Sequence, residues 1–190
     1  MRHQSLIIAI LFFLLISPAT AQQSEYDEQW REVYKLELKG QSKSALAKVN
    51  SIYTRAAAES NGIQKLRATI YQSKYRLLLE ENAQESVLSV LAERAESAKA
   101  PFQSIYHFLK ANSLFEYYQS NAYQIRNREI EENDTSDFNF WGQQRFLKEI
   151  HTLFSKALDT NENLHLDDQS IRILFEKDSL SSYQGLALND

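Results

Sequence analysis

The sequence predicts an all-α fold of stacked antiparallel helical hairpins, a tetratricopeptide-like (TPR-like) short solenoid or irregular bundle. Three observations lead there. Apolar residues recur at helical spacing in one segment after another. Glycine and proline are scarce, four and two in 190 residues. No run alternates apolar and polar residues in the manner of a half-buried strand. The chain also has no cysteine, which excludes disulfides, thiolate metal sites and a cysteine nucleophile together. Helix packing alone must therefore hold the fold.

The first 21 residues stand apart. Arg2 and His3 precede an apolar run from Leu6 to Ile16, and Ala19 and Ala21 supply the small residues of an A-x-A site. These are the parts of a secretory signal peptide, so 1–21 is expected to be cleaved after Ala21. The run is about half of the roughly 20 residues needed to cross a bilayer, and no transmembrane anchor is expected after cleavage. The remaining chain, about 169 residues, is long enough for one domain with its own core.

That domain is expected to span 22–178. After a polar lead at 22–28, Trp30, Val33, Tyr34 and Leu38 mark one face of a first helix, which Lys39 and Gly40 end. Ala45, Leu46, Val49, Ile52, Tyr53, Ala56 and Ala57 mark the face of a second, and the short link makes the two an antiparallel hairpin. Ser60, Asn61 and Gly62 close it. A third helix over 63–81 is expected to turn Leu66, Ile70, Leu77 and Leu78 inward and Arg67, Lys74 and Arg76 outward. Asn82 and Glu85 resemble a capping box opening a fourth, which carries Val87, Leu88, Leu91, Ala95 and Ala98 and stops at Pro101.

A fifth segment, 102–128, bears two apolar stripes. One is Phe102, Ile105, Tyr106 and Leu109; the other is Phe108, Ala111, Phe115, Tyr118 and Ala122. Two stripes imply a helix contacted on two sides. A loop is expected at 133–139. A sixth helix over 141–158 then directs Leu147, Ile150, Phe154, Ala157 and Leu158 inward. After a polar loop at 159–168, Asp168 is placed to cap a last short helix through Phe175. The 179–190 tail lacks a closing element, and with Leu180, Tyr183, Leu186 and Leu188 it is expected to lead into a further domain. The hairpins repeat at about 42 residues, not the roughly 34 of the tetratricopeptide unit.

The search for chemistry names no catalytic, cofactor-binding or metal-ligating residue. His107, His151 and His165 lack a second ligand at metal-helix spacing. Asp134 and Asp137 lack the glycine and distal glutamate of a calcium loop. Asn133, Asp134 and Thr135 form a glycosylation triplet that reads better as a solvated loop. Glu80 and Glu81, like Glu131, Glu132 and Asp134, read as solvated helix ends. No nucleophile, base and orienter can be assembled, so the chain is expected not to be an enzyme and to need no cofactor. The net charge of −4, with 21 basic residues scattered among 25 acidic ones, argues against a nucleic-acid footprint. Aromatic residues crowd one stretch: Tyr106, Phe108, Phe115, Tyr117, Tyr118, Tyr123, Phe138, Phe140 and Trp141. Helical spacing assigns Tyr106, Phe115 and Tyr118 to core. Phe138, Phe140 and Trp141 sit at a loop–helix junction, where core filling and a peptide- or glycan-contacting groove are both open readings.

The order of segments resembles one known family. W30REVYKLELKGQSKSALAKVNSIYTRA, K65LRATIYQSKYRLLLEE, Y106HFLKANSLFEYYQSNAYQIRNR, D137FNFW141 and L147KEIHTLFSKAL158 together resemble the N-terminal helical region of bacterial (Bacteroidetes-type) alpha-2-macroglobulin family proteins. The resemblance implies export to the periplasm or cell envelope of a Gram-negative bacterium, and the leading part of a protease-trapping endopeptidase inhibitor. It departs from the family in having no cysteine for a thioester and no β-sandwich body. The expected role is a non-catalytic scaffold or interaction surface, its partner another protein or downstream domains of the same polypeptide. The alternative is a free-standing periplasmic TPR-like adaptor that binds peptides or envelope proteins.

Overall fold

The computed structural model describes residues 18–128 and 137–158, with side chains from residue 25 onward. Among these the chain forms α1 (Pro18–Leu38), α2 (Ser42–Ala58), α3 (Gly62–Leu79), α4 (Ala83–Ser97), α5 (Phe102–Ser120), the short α6 (Ala122–Arg126), a 3-10 turn (Phe138–Phe140) and α7 (Gln143–Leu158). No strand occurs among the described residues. The fold is all-α. Most of the signal peptide expected at 1–21, the 159–168 loop, the helix through Phe175 and the 179–190 tail lie outside the described residues.

Local chemistry sets the breaks. Gly40 takes a left-handed φ of +69°. Its N–H donates to Glu37 O and that of Gln41 to Leu36 O, both at 2.9 Å, the paired bonds of a Schellman turn that satisfy the last carbonyls of α1. Ser60 repeats the geometry at the end of α2 with φ +55°, its N–H donating to Ala57 O and that of Asn61 to Ala56 O. The left-handed residue is thus Ser60, not Asn61 or Gly62. Asn61 opens the next helix instead, its side chain accepting from Gln64 N at 3.2 Å. Gly62 is needed for space, since a Cβ there would lie 2.4 Å from Phe102 Cε2.

Packing follows chain order. α1 meets α2, α2 meets α3, α4 meets α5, and α5 meets α7 along most of their lengths, whereas α3 and α4 touch more sparingly. Side-chain pairs give directions. Glu32–Lys48 and Glu25–Arg55 run α1 and α2 antiparallel. Trp30–Gln64, Tyr34–Arg67 and Glu37–Lys74 run α1 and α3 parallel. Lys110–Glu149 and Phe108–Phe154 run α5 and α7 antiparallel. The result is an up-down stack with three linked cores. The first joins α1, α2 and α3 through Tyr26, Trp30, Val33, Ala45, Val49, Ile52 and Tyr75. The second joins α3, α4 and α5 through Leu66, Val87, Leu91, Ala95 and Tyr106. The third joins α4, α5, α6, the 3-10 turn and α7 through Leu88, Leu114, Ile125, Phe138, Phe146 and Leu153.

Several expectations are corrected. The polar lead at 22–28 is helical, part of α1, and Tyr26 is fully buried. Its ring lies under Arg55 and its hydroxyl donates to Glu59 Oε2 at 2.5 Å, so neighbouring polar residues hid a core position. Leu38 is exposed, because it is the last residue of α1. In α3 the expected polarity is partly reversed. Arg67, Gln64, Thr69 and Gln72 are buried, while Leu77 and Leu78 are exposed and Ile70 is at the exposed margin. α3 lies against α1, α2, α4 and α5, so only a strip of it meets solvent, and that strip is the one carrying the leucines. Asn82 makes no side-chain cap and takes φ +59°, a conformation asparagine tolerates better than most residues. α4 ends at Ser97, and Pro101 begins α5 rather than stopping α4. The fifth segment breaks at Asn121, whose Nδ2 donates to Tyr117 O at 2.9 Å. α7 is turned by one residue from its expected face. Phe146 and Leu153 are buried beside Ile150 and Ala157, while Leu147 and Leu158 are exposed.

Candidate functional site

A cleft with both charged and aromatic walls lies between α4, α5 and the turn into α7. Its volume is about 400 Å³, at the small end of ligand sites. α4 contributes Glu85, Leu88, Ser89 and Ala92 from one face, spaced as successive helical turns. α5 contributes Lys110 and Leu114, again one turn apart. Asp137, Phe138 and Trp141 come from the turn, and Glu149 from α7.

The turn is held from three sides. Asp137 Oδ1 accepts from Asn139 N at 2.8 Å. Tyr117 OH donates to Asn139 Oδ1 at 3.3 Å. Arg128 Nη1 donates to Phe138 O at 3.3 Å and Trp141 O at 2.9 Å. Those bonds fix where the two rings stand. Phe138 packs edge-on against Tyr117 with centroids 4.8 Å apart, and Trp141 edge-on against Phe146 at 5.4 Å. Both rings therefore belong to the core on one side and to the cleft on the other. Phe140, the third junction residue, is exposed and takes no part. Arg145 lies over Trp141, 4.7 Å from the ring centroid, without lining the cleft.

The charged residues that line the cleft are Glu85, Asp137, Glu149 and Lys110. Lys110 Nζ stands 4.0 Å from Glu149 Oε1, a loose pair beside Arg55 Nε and Glu59 Oε1 at 2.7 Å. Neither partner is fully exposed.

The remaining nominated residues disperse. His107 is half-buried on α5, and its Nδ1 has no hydrogen-bond partner among the described residues. Burial, then the charges of Lys156 and Lys110, push its pKa below the ordinary histidine value. His151 is exposed on α7, and His165 lies outside the described residues. Glu80 and Glu81 are exposed at the end of α3. Asn133, Asp134, Thr135, Glu131 and Glu132 lie outside the described residues. Among the aromatics, Tyr106 is buried and Tyr118 packs against Phe146, as core residues. Phe115, expected in the core, is at the exposed margin, Phe108 is half-exposed, and Tyr123 is 77% exposed. No group of three His, Cys, Asp or Glu side chains that could hold a metal ion occurs among the described residues. No helix of the described residues is long and apolar enough to cross a membrane.

A second polar feature fastens the α1–α3 face. Trp30 Nε1 donates to Gln64 Oε1 at 2.7 Å, and Arg67 Nη2 donates to Tyr34 OH at 2.5 Å. The Arg67 guanidinium lies 4.5 Å from the Trp30 ring centroid. Beside it, Arg94 donates to Thr69 and to Gln72, and sits 4.0 Å above the Tyr53 ring. Burial pushes Arg94 below the usual arginine pKa. These groups bond to one another between helices, with Gln64 Nε2 left without a hydrogen-bond partner among the described residues, so this network fastens helices. The sequence reading missed it because charged and amide residues on a helix ordinarily mark a solvated face. Comparison with known protein-family models, curated proteins and solved structures finds no match.

Proposed function

We propose that this chain is an exported, non-catalytic helical module that serves as a scaffold and protein-contact surface, as the N-terminal part of an alpha-2-macroglobulin-like endopeptidase inhibitor. The observation that carries the contact role is the cleft. Its aromatic wall is locked by Arg128 and Tyr117 rather than left to adapt, and a pre-formed wall loses little conformational entropy when a partner docks. Support for the family comes from the ordered resemblance over 30–158, whose segments fall on α1–α3, α5–α6, the 3-10 turn and α7. Support for export comes from the signal-like leader. Cleavage after Ala21 would shorten α1 by its first turn and keep Tyr26, Trp30, Val33 and Tyr34, its buried residues.

A free-standing tetratricopeptide-like adaptor is the second reading, and one observation favours it. Contacts between the parallel helices α1 and α3 join residues 33 to 38 apart, as in Tyr34–Arg67, Trp30–Gln64 and Glu37–Tyr75. That is close to the roughly 34-residue step of that repeat. The gene downstream of codon 190 separates the two. An in-frame continuation encoding many β-patterned segments, with loss of protease retention when 22–178 is deleted from the whole protein, supports the inhibitor reading. An immediate stop codon, with a secreted chain starting at Gln22 by intact mass, supports the adaptor and overturns the inhibitor.

A further inference from the structure

One flank of the α5–α7 pair carries a bare apolar stripe. The two helices run antiparallel with Phe108 against Phe154, ring centroids 5.8 Å apart. Seven residues make two helical turns, so Phe115 on α5 comes level with Leu147 on α7, and Leu158 stands one turn beyond Phe154. Phe108, Leu147 and Leu158 are exposed, and Phe115 is at the exposed margin. Phe108 lies two residues from Lys110 and therefore on nearly the opposite side of α5. Phe154 and Glu149, five residues apart, are likewise separated around α7. Lys110 and Glu149 line the cleft beside α4, so the stripe is the flank turned away from α4, where the stack would continue. Apolar residues scattered singly need no partner, but a stripe running along two helices marks a docking face.

Chain order says what covers it. α3 packs on the α1–α2 pair and α5 on the α3–α4 pair, so each hairpin has its outer flank covered by the chain that follows it. The α5–α7 pair is followed by 159–178, outside the described residues. There Ile171, Leu174 and Phe175 stand at i, i+3 and i+4, the spacing of one helix face. The nine residues of 159–167 reach up to about 30 Å, and α7, with 16 residues, is about 24 Å long, so the link lets the segment meet any part of the stripe. A segment tethered at Leu158 also has an effective concentration on the order of millimolar there, an advantage no second copy of the chain shares. We propose that residues 168–178 dock on this flank, with Ile171, Leu174 and Phe175 laid against Phe108, Phe115, Leu147 and Phe154. The proposal concerns how the stack is closed, and it holds with either the inhibitor or the adaptor reading.

The test uses the absence of cysteine from the chain, which lets one introduced thiol report alone. Leu147→Cys places it on the stripe, and Leu78→Cys places it on the exposed strip of α3 as a reference. Alkylation by iodoacetamide, a neutral reagent, is timed by intact mass on the whole chain through Asp190. The expected result is that Leu147→Cys reacts about tenfold more slowly than Leu78→Cys, since thiol modification follows exposure. That protection should be the same at every protein concentration. Adding Leu174→Asp should return Leu147→Cys to within about threefold of the reference and leave Leu78→Cys unchanged. Ala111→Cys, buried in the third core, should stay unreactive throughout, which checks that the core is intact; if Leu174→Asp opens it, the milder Leu174→Ala takes its place. Leu147→Cys reacting as fast as Leu78→Cys overturns the proposal, because the stripe is then open to solvent. Protection that grows with protein concentration overturns it in favour of a second copy. Protection indifferent to both Leu174 substitutions overturns it as well, because something other than this segment is then the cover.

Discussion

His107 shows what one residue can report. Its Nδ1 is buried without a hydrogen-bond partner among the described residues, and Lys156 and Lys110 lie near. Both circumstances disfavour the imidazolium, so the folded state binds a proton less readily than the unfolded chain. Stability from this group is complete above the ordinary histidine value of 6.5 and is lost as pH falls below it toward the folded-state pKa. The expected outcome is a fall in Tm between about pH 7.5 and about pH 5.5 that is shallower in His107→Gln than in the parent. Parallel slopes in differential scanning calorimetry would remove the histidine from the explanation. Sequence showed this histidine to be isolated but not that it was half-buried, because burial depends on how α7 lies over α5. Tyr26 was hidden for a similar reason. Its neighbours Glu25, Asp27 and Glu28 are exposed, and only the turn-by-turn phase with Trp30 and Val33 places it in the core.

At the scale of one element, α3 separates what pattern reveals from what it conceals. Its length and its ends were legible: Leu66 and the flanking polar turns gave a helix within two residues of the observed bounds. Its facing was not. A helix enclosed by several neighbours has little free surface, and its polar side chains can then be interior if they bond to one another. Arg67 is 5% exposed and Leu78 is 64% exposed, the opposite of the usual expectation. A pair of substitutions tests this orientation. Arg67→Lys keeps the charge but loses the planar stack on Trp30 and the directed bond to Tyr34, and should destabilise by about 1–3 kcal/mol. Leu78→Lys should change stability by no more than about 0.5 kcal/mol. Urea denaturation midpoints decide it; a Leu78→Lys variant as damaging as Arg67→Lys would reverse the assigned face. α7 carries the milder version of the same lesson. Its apolar residues are so plentiful that 147, 150, 154 and 158 make as regular a stripe as 146, 150, 153 and 157, and only the site of contact with α5 chooses between them.

Across the whole molecule the three cores lie in series, and the joint between α3 and α4 is the thinnest. The all-α stack and its chain-order packing were legible because each hairpin is local, closed by a short link. The cleft was only half legible. Phe138 and Trp141 stood out as junction aromatics, but Glu85 and Lys110 come from two other helices and Arg128 from a third segment, and no spacing rule joins them. The serial arrangement has a thermodynamic consequence. In a stack where each helix touches mainly its neighbours, stability is close to a sum of local terms, and separate regions can open separately. Phe146 is fully buried in the third core and Ile52 in the first. Phe146→Leu, expected to cost roughly 1–3 kcal/mol, and Ile52→Val, roughly 0.5–1.5 kcal/mol, should therefore act on different amides in native-state hydrogen exchange. The first should lower protection in α5 and α7 and spare α1–α3; the second should do the reverse. Arg94 is the main polar tie across the joint, holding Thr69 and Gln72 of α3 from α4. If that tie and the second core couple the two halves strongly, both variants will lower protection evenly along the chain, and the serial picture fails in favour of one cooperative unit.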